Sequence, residues 1–276
     1  MMKKIRSILL FLFLPGFAFS QNLKVMSYNI RYDNPDDGMN KWGKRKADVA
    51  KSIHKYDPDI IGTQEVLNNQ LNDLNALLPE YESFGVERDD GKQKGEYAAI
   101  FFRKKEFIKL DGNFFWLSET PDIAGSKSWD AALTRMVTWC KLMNKKTGKN
   151  IFVFNTHFDH VGKIAREKSA ILIKEKIKEI AGNNIFILTG DLNTEPFEEA
   201  YQNLMNKGDK IFIDVAGEKN SEGTFCGFDV KNKKCKRIDY IFCSMNLEPI
   251  NYFVIHDNNG TYYPSDHVPV MAEIKY

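Results

Sequence analysis

The chain has 276 residues, 43% hydrophobic and 13% aromatic, enough for one large domain with a sizeable core, which makes a folded globular enzyme the default. Its first twenty residues carry three cations and no acid, so without them 36 Lys and Arg face 37 Asp and Glu, a net charge of about −1. That balance lacks the strong basic surplus with which proteins hold duplex nucleic acid non-specifically.

Residues 1–20 read as a secretory signal: Lys3, Lys4 and Arg6 form a basic start, 8–13 is apolar, and Ala18 and Ser20 supply small residues before Gln21. The apolar run is shorter than the ~20 residues of a spanning helix, and Pro15 and Gly16 break it. The expected product is one exported domain, 21–276, periplasmic or secreted, monomeric and without stable membrane insertion.

Strand-like runs follow at 23–30, 59–65, 97–103, 107–117, 135–143, 151–157, 185–191, 211–215, 237–243, 249–256 and 268–274. Several are continuously apolar, such as Ile185, Phe186, Ile187 and Leu188, the mark of a strand covered on both faces. Helical periodicity marks three stretches. Residues 44–56 align Ala47, Ala50 and Ile53; 68–78 align Leu71, Leu74, Leu77 and Leu78; 163–180 align Ile164, Leu172, Ile173, Ile177 and Ile180, with Gly182 and Asn183 as a stop. Eleven strands and few helices, without strict alternation, predict an α/β fold in which two sheets pack face to face and helices cover them outside. No repeat or linker divides the chain.

Of the four cysteines, Cys226 and Cys235 flank a loop containing Gly227, Asp229 and the basic run 231–237. A hairpin there would bring their Cα atoms near the separation a disulfide requires. Cys140 and Cys243 lie inside strand-like runs and read as small core residues. None has CxxC spacing, so no zinc site is expected.

Polar residues close many of the apolar runs. Asp191 and Asn193, two apart, share a face in an extended chain; an Asx turn capping backbone amides is the competing reading. Glu65 closes another run as a carboxylate that needs either a bound cation or a salt bridge. His157 ends the run 151–157, with Asp159 on its face. Asp239 sits among apolar neighbours and needs a donor, which an imidazole N–H would provide. Asp266 and His267 stand together before the last run. Arg135 either clamps a phosphate bidentately or pairs at a strand edge.

In order, the segments 27–31 (SYNIR), 64–65 (QE), 155–157 (NTH), 190–193 (GDLN), 237–242 (RIDYIF) and 265–268 (SDHV) resemble the endonuclease/exonuclease/phosphatase superfamily. That group includes pancreatic-type deoxyribonucleases, exonuclease III-like repair enzymes, inositol polyphosphate 5-phosphatases, neutral sphingomyelinases and deadenylases. The resemblance implies a four-layer sandwich, two mixed β-sheets packed face to face with helices on both outer faces, and an active site at one rim. It implies Glu65 as the main metal ligand with Asn29 beside it, and Asp266 as a further metal contact. Asp191 would position or deprotonate the attacking water, Asn193 would donate to the phosphate or serve as a second ligand, His157 would stabilise the phosphoryl oxygens, and Asp239 would fix the tautomer of His267. Arg31 departs from the pattern, because repair nucleases of the superfamily often place an Asp there; no second metal contact is expected from it.

Oxygen donors without thiolates favour Mg²⁺ first and Mn²⁺ second. The expected activity is metal-dependent hydrolysis of a small phosphoester, such as a sugar, inositol or nucleotide phosphate. The alternative is a secreted nuclease acting on DNA or RNA, and the third reading is a sphingomyelinase-like phosphodiesterase. A non-catalytic binding module would require a lost catalytic set, whereas every expected position is filled.

Overall fold

The computed structural model describes residues 22–205, 208, 210–217 and 220–276; the expected signal segment lies outside the described residues. In chain order the elements are β1 (Asn22–Asn29), α1 (Trp42–Tyr56), β2 (Ile60–Gln64), α2 (Asn68–Leu77), β3 (Tyr81–Phe84), β4 (Ile100–Arg103), β5 (Phe107–Trp116) and β6 (Met136–Asn144). There follow β7 (Asn150–His157), α3 (Lys163–Ala181), β8 (Phe186–Asp191), α4 (Glu199–Met205), β9 (Phe212–Asp214), β10 (Asp239–Ser244), β11 (Glu248–Val254) and β12 (Val270–Lys275).

These strands form two six-stranded sheets, ordered β11-β12-β1-β2-β4-β3 and β5-β6-β7-β8-β10-β9. Both are mixed: β1 runs parallel to β2 but antiparallel to β12, and β7 runs parallel to β8, which is antiparallel to β10. The strand period of two sorts the side chains into layers. Val25, Ile60, Val153, Ile187, Ile241 and Val270 meet between the sheets. The alternate residues Met26 and Tyr28 pack outward on Trp42, Ile53 and Leu74 of the first two helices, and Phe154 and Leu188 pack on Ile173, Ile177 and Leu204 of the other two. The result is the expected four-layer α/β sandwich.

The helices have local causes. The N-terminus of α3 is capped from a distant loop: both Asp130 carboxylate oxygens accept, from Ile164 N at 3.1 Å and Ala165 N at 2.6 Å. Gln70 serves α2 from within, accepting from Leu67 N at 3.0 Å. The edge strand β3 (YESF), short and half polar, was not expected from the sequence, and α4 spans only seven residues, too few for helical periodicity to fix its bounds. Among the described residues no helix is long and apolar enough to cross a membrane. Cys226 and Cys235 are joined as a disulfide with Cα atoms 4.6 Å apart, while Cys140 and Cys243 are free and buried.

At one end the layer between the sheets turns from apolar to polar. Residue parity carries the inner face of β1 from Val25 to Ser27 and Asn29, that of β7 from Val153 to Asn155 and His157, and that of β8 from Ile187 to Thr189 and Asp191. The sheets come very close here. A Cβ on Gly62 would lie 1.9 Å from Thr189 Oγ1 and 2.6 Å from Asn155 Oδ1, so only glycine fits. Asn155 stitches the sheets together: its Nδ2 donates to the carbonyls of Thr63 and Ala99, and its Oδ1 accepts from Gln64 and Thr189.

Candidate active site

Register places the chemistry. His157, Asp191 and Asp239 are opposite one another across β7, β8 and β10, so their side chains leave the same face at the polar end of the sandwich. Asn29 ends β1 opposite Gln64, and Glu65 follows directly. Glu65, His157 and Asp191, with Asp266 and His267 from the segment before β12, line a cleft of about 630 Å³, while Asn29 and Asp239 are buried next to them.

Asn29 ties the two sheets at that cleft. Its Nδ2 donates to Glu65 Oε1 at 3.0 Å and to Asp191 Oδ2 at 2.9 Å, and its Oδ1 accepts from Arg31 N. Glu65 also accepts from Tyr32 N at 3.2 Å. Glu65, Arg31 and Asn193 all have left-handed backbones, with φ of 60°, 58° and 46°. Such conformations cost on the order of 1–3 kcal/mol for residues other than glycine and persist only where their surroundings over-determine them.

Asp191 is buried with one oxygen, Oδ1, accepting from Asn193 N at 2.9 Å. Burial and the nearby Asp239 carboxylate push its carboxyl up to about 7, within reach of proton transfer near neutral pH. His157 lies 3.4 Å from Asp191, and its Nε2 meets Asn193 Nδ2 at 3.0 Å. Burial, then Arg135 and Arg88, hold it well below the ordinary histidine value, so it is a neutral imidazole. Burial acts the same way on His267, but the Asp239 and Asp191 carboxylates outweigh it and hold that ring well above the ordinary value. Its Nδ1 meets Asp239 Oδ2 at 2.9 Å, and its Nε2 lies 3.7 Å from Asp191 Oδ2. The pair of histidines is therefore split, one neutral and one cationic.

Arg135 lies in the cleft wall, 4% exposed, between Asp159 Oδ2 at 3.6 Å and His160 Nδ1 at 3.2 Å. Its Nε and Nη1 are buried and without hydrogen-bond partners. Buried guanidinium donors left unpaired beside a cleft suit an anion's oxygens. Arg135 thus pairs with a carboxylate and keeps guanidinium nitrogens without hydrogen-bond partners beside the cleft. Asp159 does not reach the cleft chemistry; it accepts from Leu133, Val161 and Gly162 amides.

The donor set fits a divalent cation. Ligand atoms of Glu65, Asp191 and His267 lie within 4.8 Å of one another, and Asp266, buried and pushed up by its burial, lies near enough to Glu65 for their charges to interact. Clustered buried carboxylates are costly unless a cation joins them. His267 Nδ1 is taken by Asp239, and the carboxylate oxygens of Glu65, Asp191 and Asp266 suit a hard ion.

Several residues of the cleft had no sequence signal. Thr224 Oγ1 donates to Asp239 Oδ2 at 2.5 Å, and Phe225 packs on the His267 ring at a centroid distance of 4.9 Å. Phe197 is 78% exposed in the cleft wall between Glu195 and Glu198. His160 lines the cleft, while His54 and His256 pair with Glu80 and Glu222 at the surface.

The Endonuclease/Exonuclease/phosphatase family model matches residues 26–267. A mannosyl-6-phosphatase from Bacteroides thetaiotaomicron is 40% identical with a TM-score of 0.87, covering 92% of this chain and 100% of that one. An endonuclease/exonuclease/phosphatase from Bacteroides vulgatus is also 40% identical, TM-score 0.87, covering 92% and 98%. A probable RNA exonuclease from Saccharomyces cerevisiae is 30% identical over 207 residues, 66% of this chain and 39% of that protein, so the chain spans well under half of that relative. Family model, sheet order and rim geometry agree: the chain belongs to the endonuclease/exonuclease/phosphatase family and is a hydrolase of phosphoesters.

Proposed function

We propose that this hydrolase depends on Mg²⁺ or Mn²⁺, acts outside the cytoplasm, and cleaves a small phosphoester, a sugar phosphate before an inositol or nucleotide phosphate. The observation that carries the substrate class is the cleft wall at 195–198, where two carboxylates flank an exposed aromatic ring. Carboxylates accept from sugar hydroxyls and a ring covers an apolar sugar face. The likeness to a mannosyl-6-phosphatase supports the same class. The signal-like start and the Cys226–Cys235 disulfide support an oxidising, exported location. Nuclease action is the second reading, favoured by the RNA exonuclease relative.

Glu65 and Asp266 would hold the ion, with Asp191 close enough to share it and Asn29 orienting Glu65. When bound, the ion supplies Lewis-acid stabilisation of charge on the phosphoryl group. Arg135 presents its unpaired donors to a phosphoryl oxygen, with Asn193 and neutral His157 beside it. Asp191, poised near neutrality, takes a proton from the attacking water as the water oxygen bonds to phosphorus. The bond from phosphorus to the ester oxygen breaks, and cationic His267, held by Asp239, gives that oxygen a proton.

A panel of sugar, inositol and nucleotide phosphates, a phosphodiester, plasmid DNA, RNA and sphingomyelin, assayed with Mg²⁺, with Mn²⁺ and with chelator, tests this reading. The expected result is highest kcat/KM on a sugar monophosphate and none with chelator. Higher kcat/KM on DNA or RNA would overturn the substrate class.

A further inference from the structure

Arg31 stands where the sequence departs from the repair nucleases, and the structure shows it held at every polar group of its backbone and side chain but one. Its N–H donates to Asn29 Oδ1 at 3.0 Å, and its carbonyl accepts from Gln70 Nε2 at 2.8 Å and from buried Arg45. Asp37 grips the guanidinium bidentately, Nε to Oδ2 and Nη2 to Oδ1, both at 3.0 Å. The remaining nitrogen, Nη1, lies 3.8 Å from Asp266 Oδ2 and 4.0 Å from Glu65 Oε2, between the two carboxylates assigned to the ion. It lines the cleft.

We propose that Arg31 is the site's fixed second cation: the enzyme binds one divalent ion, and Nη1 of Arg31 takes a phosphoryl oxygen where a second ion would otherwise sit. The inference rests on the phosphoesterase reading but not on which ester is cleaved. Three arguments support it. A guanidinium locked by a bidentate carboxylate cannot swing away to admit another ion without breaking two charge-assisted bonds. Its positive charge raises the electrostatic cost of adding another divalent ion beside the one that Glu65 and Asp266 would hold. A cation already in place needs no reorganisation when charge builds on the phosphoryl group. The left-handed backbone at Arg31 fits this role, because three separate hydrogen bonds at its own N–H and carbonyl maintain it.

The test counts ions without using substrate. Mn²⁺ titrated into the full-length chain and followed by electron paramagnetic resonance should give one bound ion per chain and no spin-coupled pair. Arg31→Ala should still bind one Mn²⁺, should lose at least ~10²-fold in kcat, and should regain part of it with added guanidinium. Arg31→Lys, which keeps the charge but not the fork, should fall between, and Asp37→Asn should raise KM by loosening the side chain. Two coupled Mn²⁺ in the wild-type chain would overturn the proposal, as would folded Arg31→Ala with near wild-type kcat. The sugar-phosphate reading fails separately, on the ester panel.

Discussion

Asp239 Oδ2 lies 2.9 Å from His267 Nδ1 and 2.5 Å from Thr224 Oγ1, so a single carboxylate oxygen holds both the cationic ring and a threonine from a neighbouring loop. The other oxygen, Oδ1, is buried without a partner. All of the carboxylate's binding is thus directed through one atom, and the ring's orientation depends on it.

Asp239→Asn keeps the shape and removes the charge that raises His267. The expected loss in kcat is at least ~10²-fold, as for removal of one transition-state contact. The pH profile separates this from a merely structural effect. With Asp239 in place His267 stays protonated through neutrality, so its part of the activity falls only in the alkaline limb; in Asp239→Asn that limb should move to lower pH. Thr224→Val should cost less and move the limb little, since the charge remains. An unmoved alkaline limb in Asp239→Asn would remove His267 from the proton-donor role.

The Cys226–Cys235 link closes a loop that starts directly after Thr224 and Phe225, which touch Asp239 and His267. Replacing both cysteines by Ser should lower stability by roughly 2–3 kcal/mol in the chain-entropy account. It should also lower kcat, because the loop anchors Thr224 and Phe225, which hold the dyad. Chemical denaturation gives the first quantity and initial rates at a temperature where both forms are folded give the second. Thiol labelling of the unreduced, denatured chain should find two reactive cysteines, and four would exclude the link.

Asp159 contributes to the acid side of the stability curve. Burial raises its carboxyl, but amide donors from Gly162, Leu133, Ala132 and Val161 outweigh burial and bring it from 3.8 to about 2. A depressed folded pKa contributes stability that is fully present above the unfolded value and is lost as pH falls through the folded one. Asp159→Asn should therefore destabilise the chain near neutrality, by about 1–2 kcal/mol after discounting for solvent screening, and the deficit should shrink as pH drops from 4 towards 2. Urea midpoints across that range measure it; a pH-independent deficit would show that packing, not charge, is what Asp159 supplies.

Much of this was legible in the sequence because one periodicity does two jobs. The alternation that makes Val25, Val153 and Ile187 inner-face residues carries on to Asn29, His157 and Asp191, so the apolar runs both announce the strands and aim their polar ends. Strand register then brings His157, Asp191 and Asp239 level. What sequence could not show is contact between loops with no periodicity of their own. Thr224 reaches Asp239 across fifteen residues, Arg45 holds Arg31 from an α-helix, and Phe197 is in no apolar pattern at all. The role of Arg31 was half visible: its departure from the family pattern could be read, but its grip by Asp37 required coordinates.

Phe197 offers the sharpest test of substrate class. The turn that carries it is braced, with Glu198 accepting from Glu195 N at 2.7 Å and from Thr194 Oγ1 at 3.2 Å, while the ring itself is exposed in the cleft wall. An exposed ring lends little to the fold, so Phe197→Ala should leave stability within about 0.5 kcal/mol of wild type. If the ring covers a sugar face, KM for a sugar monophosphate should rise about tenfold, the equivalent of ~1.4 kcal/mol, with kcat little changed. Inorganic phosphate, which lacks the sugar, should inhibit wild type and Phe197→Ala equally. Salt gives an independent check on the same binding mode. A one-phosphate site should weaken about tenfold or less between ~50 and ~200 mM salt, whereas a groove neutralising six or more phosphates should weaken by ~10³-fold or more. A steep salt slope on DNA, together with a Phe197→Ala enzyme that cleaves sugar phosphates normally, would place the chain with the nucleases of its family.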